Sequence, residues 1–224
     1  MKKVFIFSIL MSVAVIARAQ FQQFHAGVSL PSGKFGDGNE KTEYPWNGKG
    51  FAAMGFNMGY KLYNPLTIDE GLTWVFGIEA FYNPLNTDLK DKIEKTWKNI
   101  TPSMYLNFSA TFGLNYAVPL NEKLKLYGEA ALGSNFSYIT DFDMEDSSSS
   151  YQKYKFTPLF GLAWGLEAGL FIDSKYSIGL RHNNLGSYKF KYEIDYPGDR
   201  ATSKEKFDKA LPVTVTSVCL GLLF

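Results

Sequence analysis

Glu79, Glu129, Glu167 and Arg181 are the residues of this chain best placed to do chemistry, each set among Gly, Ala, Asn or aromatic residues at every second position. A carboxylate buried alone in such surroundings is strongly disfavoured, so three of them on one face must pair with cations, hold water or keep a proton on at least one Glu. Two arrangements satisfy that requirement. One is a salt-bridged plug; the other is a narrow polar conduit gated by Arg181 as it exchanges partners. Lys61 and Lys125 share the same face by parity and fall closer to one end of it.

Other reactive residues are few. The two histidines, His25 and His182, are read as structural. Cys219 is the single cysteine and has no partner for an internal disulfide. Asp141, Asp143, Glu145 and Asp146 precede Ser147 to Ser150, but their spacing fits no calcium loop, and an acidic solvated tip is expected. Gly33-Lys34 lacks the earlier glycine of a phosphate loop. No metal or cofactor site is expected, and no catalytic residue.

The elements that position the ionisable residues are strands. From Met104 to Val118 the even positions are Met, Leu, Phe, Ala, Phe, Leu, Tyr and Val, and the odd positions are mostly polar or small. This period of two runs longer than the ~9 to 11 residues that a tilted strand needs to cross a bilayer. It recurs at 52–62, 72–82, 124–136, 158–172 and 176–181, and with 24–30 and 212–224 the count reaches eight. Short connections near Asn64-Pro65, at 119–123 and at Asp173-Ser174-Lys175 alternate with long ones near 32–50, 84–103, 139–155 and 184–211. An eight-stranded antiparallel up-and-down transmembrane β-barrel is predicted, with short periplasmic turns and long extracellular loops.

Sidedness follows from residue types. One face is Leu, Phe, Met, Ile, Trp and Tyr; the other is Gly, Ala, Ser and Asn with few charges, which suits a crowded lumen better than a water-exposed wall. Trp74, Tyr60, Tyr116, Tyr176 and Phe224 sit near one set of strand ends, and Tyr82, Phe136 and Tyr138 near the other, as two aromatic girdles would.

Residues 1–19 are expected to be a signal peptide: Lys2 and Lys3, an apolar run from Val4 to Ile16, then Ala17-Arg18-Ala19 as a cleavage site. Residues 20–224 form the barrel domain. Without Lys2, Lys3 and Arg18 the formal charge falls from +1 by three, to about −2, which disfavours a nucleic-acid partner.

The eighth strand ends on Phe224, with Leu222, Leu220 and Val218 on the same face. This resembles the C-terminal signature read by the barrel-assembly machinery. The segment Gly27 to Gly36, the run Leu180-Arg181-His182-Asn183 and the Phe224 ending together resemble the PorT-like outer-membrane β-barrel family, related in shape to OmpX and OmpW type barrels. The resemblance implies a barrel in the outer membrane among lipid and lipopolysaccharide, and some members assist protein secretion. His182-Asn183-Asn184 also has a distant look of the His-x-Ser-Asn element of outer-membrane lipid A deacylases. Asn184 stands where their nucleophilic Ser would be, so the chemistry lacks its central group.

The expected function is therefore non-enzymatic: envelope structure or surface interaction through the outer loops, with a small-solute pore or a secretion accessory as alternatives. Tyr188, Phe190, Tyr192, Ile194 and Tyr196 alternate with charged residues, which predicts that the seventh strand runs on to Pro197-Gly198 and exposes an aromatic stripe to an extracellular or secretion partner.

Overall fold

The computed structural model describes residues 21–37, 49–66, 71–86, 97–101, 103–146, 151–196, 201–206 and 209–224. The leader at 1–19 lies outside them, as do Ser147 to Ser150 and Pro197-Gly198. Thirteen strands are present among the described residues: β1 (Phe21–Pro31), β2 (Gly55–Pro65), β3 (Leu72–Pro84), β4 (Trp97–Thr101), β5 (Met104–Pro119), β6 (Leu124–Ile139), β7 (Phe142–Asp146), β8 (Tyr151–Phe156), β9 (Leu159–Ile172), β10 (Tyr176–Tyr188), β11 (Lys191–Tyr196), β12 (Ala201–Lys206) and β13 (Leu211–Leu223).

Eight of them close a barrel in the order β1-β13-β10-β9-β6-β5-β3-β2, every neighbouring pair antiparallel. Closure pairs the first strand with the last and leaves no open edge, which is what a lipid environment demands of backbone N–H and C=O groups. The sharpest connection is Asp173-Ser174, where both residues take positive φ (52° and 53°) and Lys175 N–H donates to Ile172 C=O at 3.1 Å. Such a two-residue turn matches the twist of the strands it joins.

Alternation sorts the side chains as predicted. Phe56, Ile78, Phe112, Leu132, Leu162, Leu166, Leu180 and Leu220 are exposed on the outer wall, whereas Asn57, Asn107, Asn115, Asn135, Ser177 and Ser217 are buried inside. Exposed Leu166 lies in the middle of β9. Leu166→Arg is expected to cost about 2 to 4 kcal/mol of folding stability in lipid vesicles, the penalty for a cation at mid-bilayer. Urea titration would measure it, and a cost near zero would mean that this face is not in lipid.

Two apolar clusters fill the ends of the lumen. At the short-turn end Tyr63, Val75, Tyr127 and Phe171 pack together with Phe21 and Leu223, with Tyr127 stacked on Phe171 at a 4.2 Å centroid distance. At the other end Phe35, Phe81, Tyr105, Ile139, Leu185, Tyr188, Phe190 and Leu211 belong to a larger cluster. Phe35 arrives there on a single 3-10 turn, Gly33–Phe35, after β1.

The long connections are built differently from the prediction. β10 does not run on: its register against β13 shifts between Asn184 and Ser187, it ends at Tyr188, and β11 begins only at Lys191. β11 joins β4, β7, β8 and β12 in a second sheet, ordered β12-β11-β8-β7-β4. Nor is the aromatic stripe exposed where its side chains are described, which leaves out Tyr196. Tyr188, Phe190 and Ile194 are buried, and Tyr192 packs on the same cluster. The bulge turns the strand, so aromatic residues that would have faced out cover the barrel mouth instead.

Candidate functional site

Midway along the lumen, between the two apolar clusters, the strands bring the ionisable residues together. Glu167 on β9 is directly opposite Arg181 on β10, and opposite Glu129 on β6 on its other side. Glu79 comes from β3, Lys61 from β2 and His25 from β1. Each is inward by parity, and the barrel is narrow enough for the long side chains to meet across it.

Arg181 is the hub. Its Nε donates to Glu167 Oε2 at 2.5 Å, Nη2 forms a second ion-pair contact with the same oxygen, and Nη1 donates to Glu79 Oε2 at 2.5 Å. His25 Nε2 lies 3.1 Å from Arg181 Nη1 and 3.2 Å from Glu79 Oε1. Asn57 Nδ2 donates to Glu79 Oε1 at 2.5 Å. Both Glu79 oxygens are thus occupied.

Lys61 resolves a conflict. Glu129 and Glu167 are cross-strand neighbours of like charge, an arrangement that destabilises a sheet. Lys61 Nζ sits between them, 2.6 Å from Glu129 Oε1 and 2.7 Å from Glu167 Oε2. Tyr127 Oη donates to Glu167 Oε1 at 2.5 Å, and Tyr63 Oη is 3.2 Å from Glu129 Oε2 and 2.8 Å from Gln23 Oε1. Gly179 leaves the space this requires: a Cβ there would be 2.5 Å from Tyr127 Oη and 2.6 Å from Glu167 Oε1.

Five of the six ionisable residues named above were legible in the sequence as inward-facing, and Glu79, Glu129, Glu167 and Arg181 do meet at one level. Lys61 was expected nearer the mouth but belongs to the ring, because its four-carbon stem reaches across to β6 and β9. Lys125 stays apart. It is exposed and lines a cavity of ≈ 350 Å³ at the short-turn end with Phe21, Thr73, Asn115 and Phe171. His25 was not foreseen in the ring; the alternation of Gln23, His25 and Ser29 with Phe24, Ala26 and Val28 is the signal that places it inside. His182 faces outward as parity requires, 3.1 Å from Thr216 Oγ1. Phe224, Leu222, Leu220 and Val218 are all exposed on the outer wall.

The free space inside the ring is ≈ 20 Å³, lined by His25, Lys61, Glu79, Glu129, Glu167 and Arg181 among others. That is room for about one water molecule. A ring this tightly paired, with aromatic residues packed at either end, ties β2, β3, β6, β9 and β10 together across the lumen.

The sequence and fold both have counterparts. Residues 4–208 match the family described as outer membrane protein beta-barrel domain. Comparison with curated proteins returns no match. Among solved structures, the outer membrane protein OprG from Pseudomonas aeruginosa aligns at 15% identity, over 92% of this chain and 97% of its own, with a TM-score of 0.52. Neisserial surface protein A aligns at 12% identity, over 91% of this chain and 94% of its own, with a TM-score of 0.50. At these identities the likeness is one of fold, and it does not extend to the finer PorT-like resemblance. With the matched segment spanning most of the sequence and a closed barrel of lipid-facing strands beneath it, the chain belongs to the outer membrane β-barrel protein family.

Proposed function

We propose that this protein is a non-enzymatic, non-conducting barrel of the outer membrane that serves surface interaction, with the five-stranded outer sheet as its contact surface. The observation that carries this reading is the crowded lumen: among the described residues the paired ring lies between two apolar clusters, which supports activity directed outward. The barrel then acts as a rigid mount. Five strands from three separate connections form one sheet on it, which is more structure than a solvated loop needs.

The sheet is two-faced. Tyr154, Phe156, Tyr192 and Ile194 turn toward the barrel-mouth cluster, while Lys153, Lys155, Lys191, Glu193, Lys204 and Lys206 share the opposite face by register. A partner protein or glycan would meet that charged face. On this reading a leader at 1–19 is removed during export, and Phe224 with its apolar row engages the barrel-assembly machinery.

A narrow solute path is the second reading, supported by the cavity at the periplasmic mouth and the small polar space inside the ring. A secretion role would follow from the PorT-like resemblance. Single-channel recording in planar bilayers separates the first two. The wild-type barrel and Arg181→Ala are both expected to hold a closed baseline, because the plugs persist without the arginine. Sustained current steps in either would overturn the non-conducting assignment.

A further inference from the structure

The short-turn end of the lumen is hollow. A cavity of ≈ 350 Å³ lies there, lined by Phe21, Thr73, Asn115, Lys125, Phe171 and Leu223 among others. Small-molecule sites span about 300 to 1,000 Å³, so this one suits a small ligand. Its rim carries the exposed residues Lys125 and Ser174. Toward the ring it meets the apolar cluster, since Val75 is the next inward residue after Thr73 and Tyr127 the next after Lys125.

Three polar groups of the cavity are without partners. Thr73 on β3 and Asn115 on β5 are direct cross-strand neighbours, 5% and 1% exposed. Among the described residues Thr73 Oγ1 and Asn115 Nδ2 nevertheless have no hydrogen-bond partner. Leaving such atoms unpaired costs free energy that an apolar residue at the same position would avoid. Lys125 is the third group. It forms no salt bridge among the described residues, whereas Lys61 deeper in the lumen engages two carboxylates. The apolar wall beside it is held from behind: Phe21 stacks on Tyr63 at a 4.4 Å centroid distance and meets Phe171 edge-on at 5.8 Å. Phe171 is the direct cross-strand neighbour of Lys125, so a cation and an aromatic ring stand side by side.

We propose that this cavity binds a small monocarboxylate with a compact apolar body, entering from the periplasmic side. Its carboxylate lies on Lys125, Asn115 and Thr73, and its body against Phe21 and Phe171. The two oxygens of a carboxylate offer about four acceptor sites, enough for an ammonium, an amide N–H and a hydroxyl together. The charge also matches, because Lys125 is the one ionisable side chain among the described residues that line the cavity. A phosphomonoester would bring a second negative charge with no second cation to meet it. Binding of this kind needs no passage through the ring, and the proposal depends on the membrane location and not on the surface-partner reading.

Ligand-observed NMR titration of the folded protein in lipid nanodiscs tests it, with phenylacetate and its uncharged analogue phenylacetamide as probes and empty nanodiscs as the blank. Phenylacetate is expected to saturate with a Kd of about 1 mM or tighter, and phenylacetamide to bind about tenfold more weakly or worse. Lys125→Gln, at an exposed and unpaired position, is expected to erase that difference. Thr73→Val/Asn115→Leu is expected to weaken phenylacetate by about fivefold or more while heat-modifiable migration is retained. If that double variant does not fold, Thr73→Val alone carries the same expectation with a smaller loss. An N-acetylated dipeptide ending in phenylalanine separates the sources of the carboxylate. Tighter binding than phenylacetate names a peptide chain end and weaker binding a free acid, and either supports the site when it is lost in Lys125→Gln. Equal affinity for acid and amide would overturn the proposal, as would undiminished binding of the acid by Lys125→Gln. No saturable binding above the blank would overturn it too, and would assign Thr73 and Asn115 to water.

Discussion

Arg181→Met is expected to be among the most damaging single substitutions in the barrel, costing about 3 to 5 kcal/mol, the range found when one partner of a buried ion pair is removed. Three carboxylates then share the lumen with Lys61 and His25. Glu167 keeps Lys61 and Tyr127, but among the described residues Glu79 retains only Asn57 and His25, and His25 Nδ1 has no hydrogen-bond partner there. The midpoint of heat-modifiable migration, or urea unfolding from lipid vesicles, would read the loss. Glu79→Gln added to Arg181→Met should recover part of it, since the orphaned charge goes with its partner. A single substitution that left the midpoint unchanged would mean the ring is not closed to water.

Lys61→Met is expected to cost a similar amount, about 3 to 5 kcal/mol, for a different reason. Arg181 binds carboxylates that lie apart, whereas Lys61 screens two that the register sets face to face on β6 and β9. Its removal leaves Glu129 with Tyr63 at 3.2 Å as its remaining hydrogen-bond donor. The double variant Lys61→Met/Glu129→Gln should be more stable than Lys61→Met alone, because the repulsion with Glu167 is gone. If the two substitutions instead added their separate costs, the lysine would be acting through packing of its stem. The same unfolding assay distinguishes these outcomes.

The ring bears on specificity as well as stability. A slip of one residue in any of its strands would carry a charged side chain onto the lipid face and bring its apolar neighbours inside. Six strands contribute to the ring, counting Asn57 and Lys61 on β2 with His25 on β1, Glu79 on β3, Glu129 on β6, Glu167 on β9 and Arg181 on β10. A mispaired barrel would thus expose several charges to lipid at once.

The number of barrel strands, their antiparallel order, the lipid face and the inward set Glu79, Glu129, Glu167 and Arg181 were all legible in the amino-acid order, because a strand's period of two assigns each side chain a face without reference to anything distant. The same parity correctly put His182 outside, and it would have put His25 inside. Three matters were left to the tertiary structure. Lys61 joins the ring because the stagger of the closed sheet and the reach of its side chain bring Nζ to β6 and β9, and parity carries no information about distance across a lumen. The aromatic stripe after Tyr188 turned inward because a bulge and a two-residue break redirected it, a choice made by the apolar barrel mouth beneath. The outer sheet pairs β8 with β11, from connections far apart in sequence, and such pairing is decided only once the barrel has brought those connections side by side.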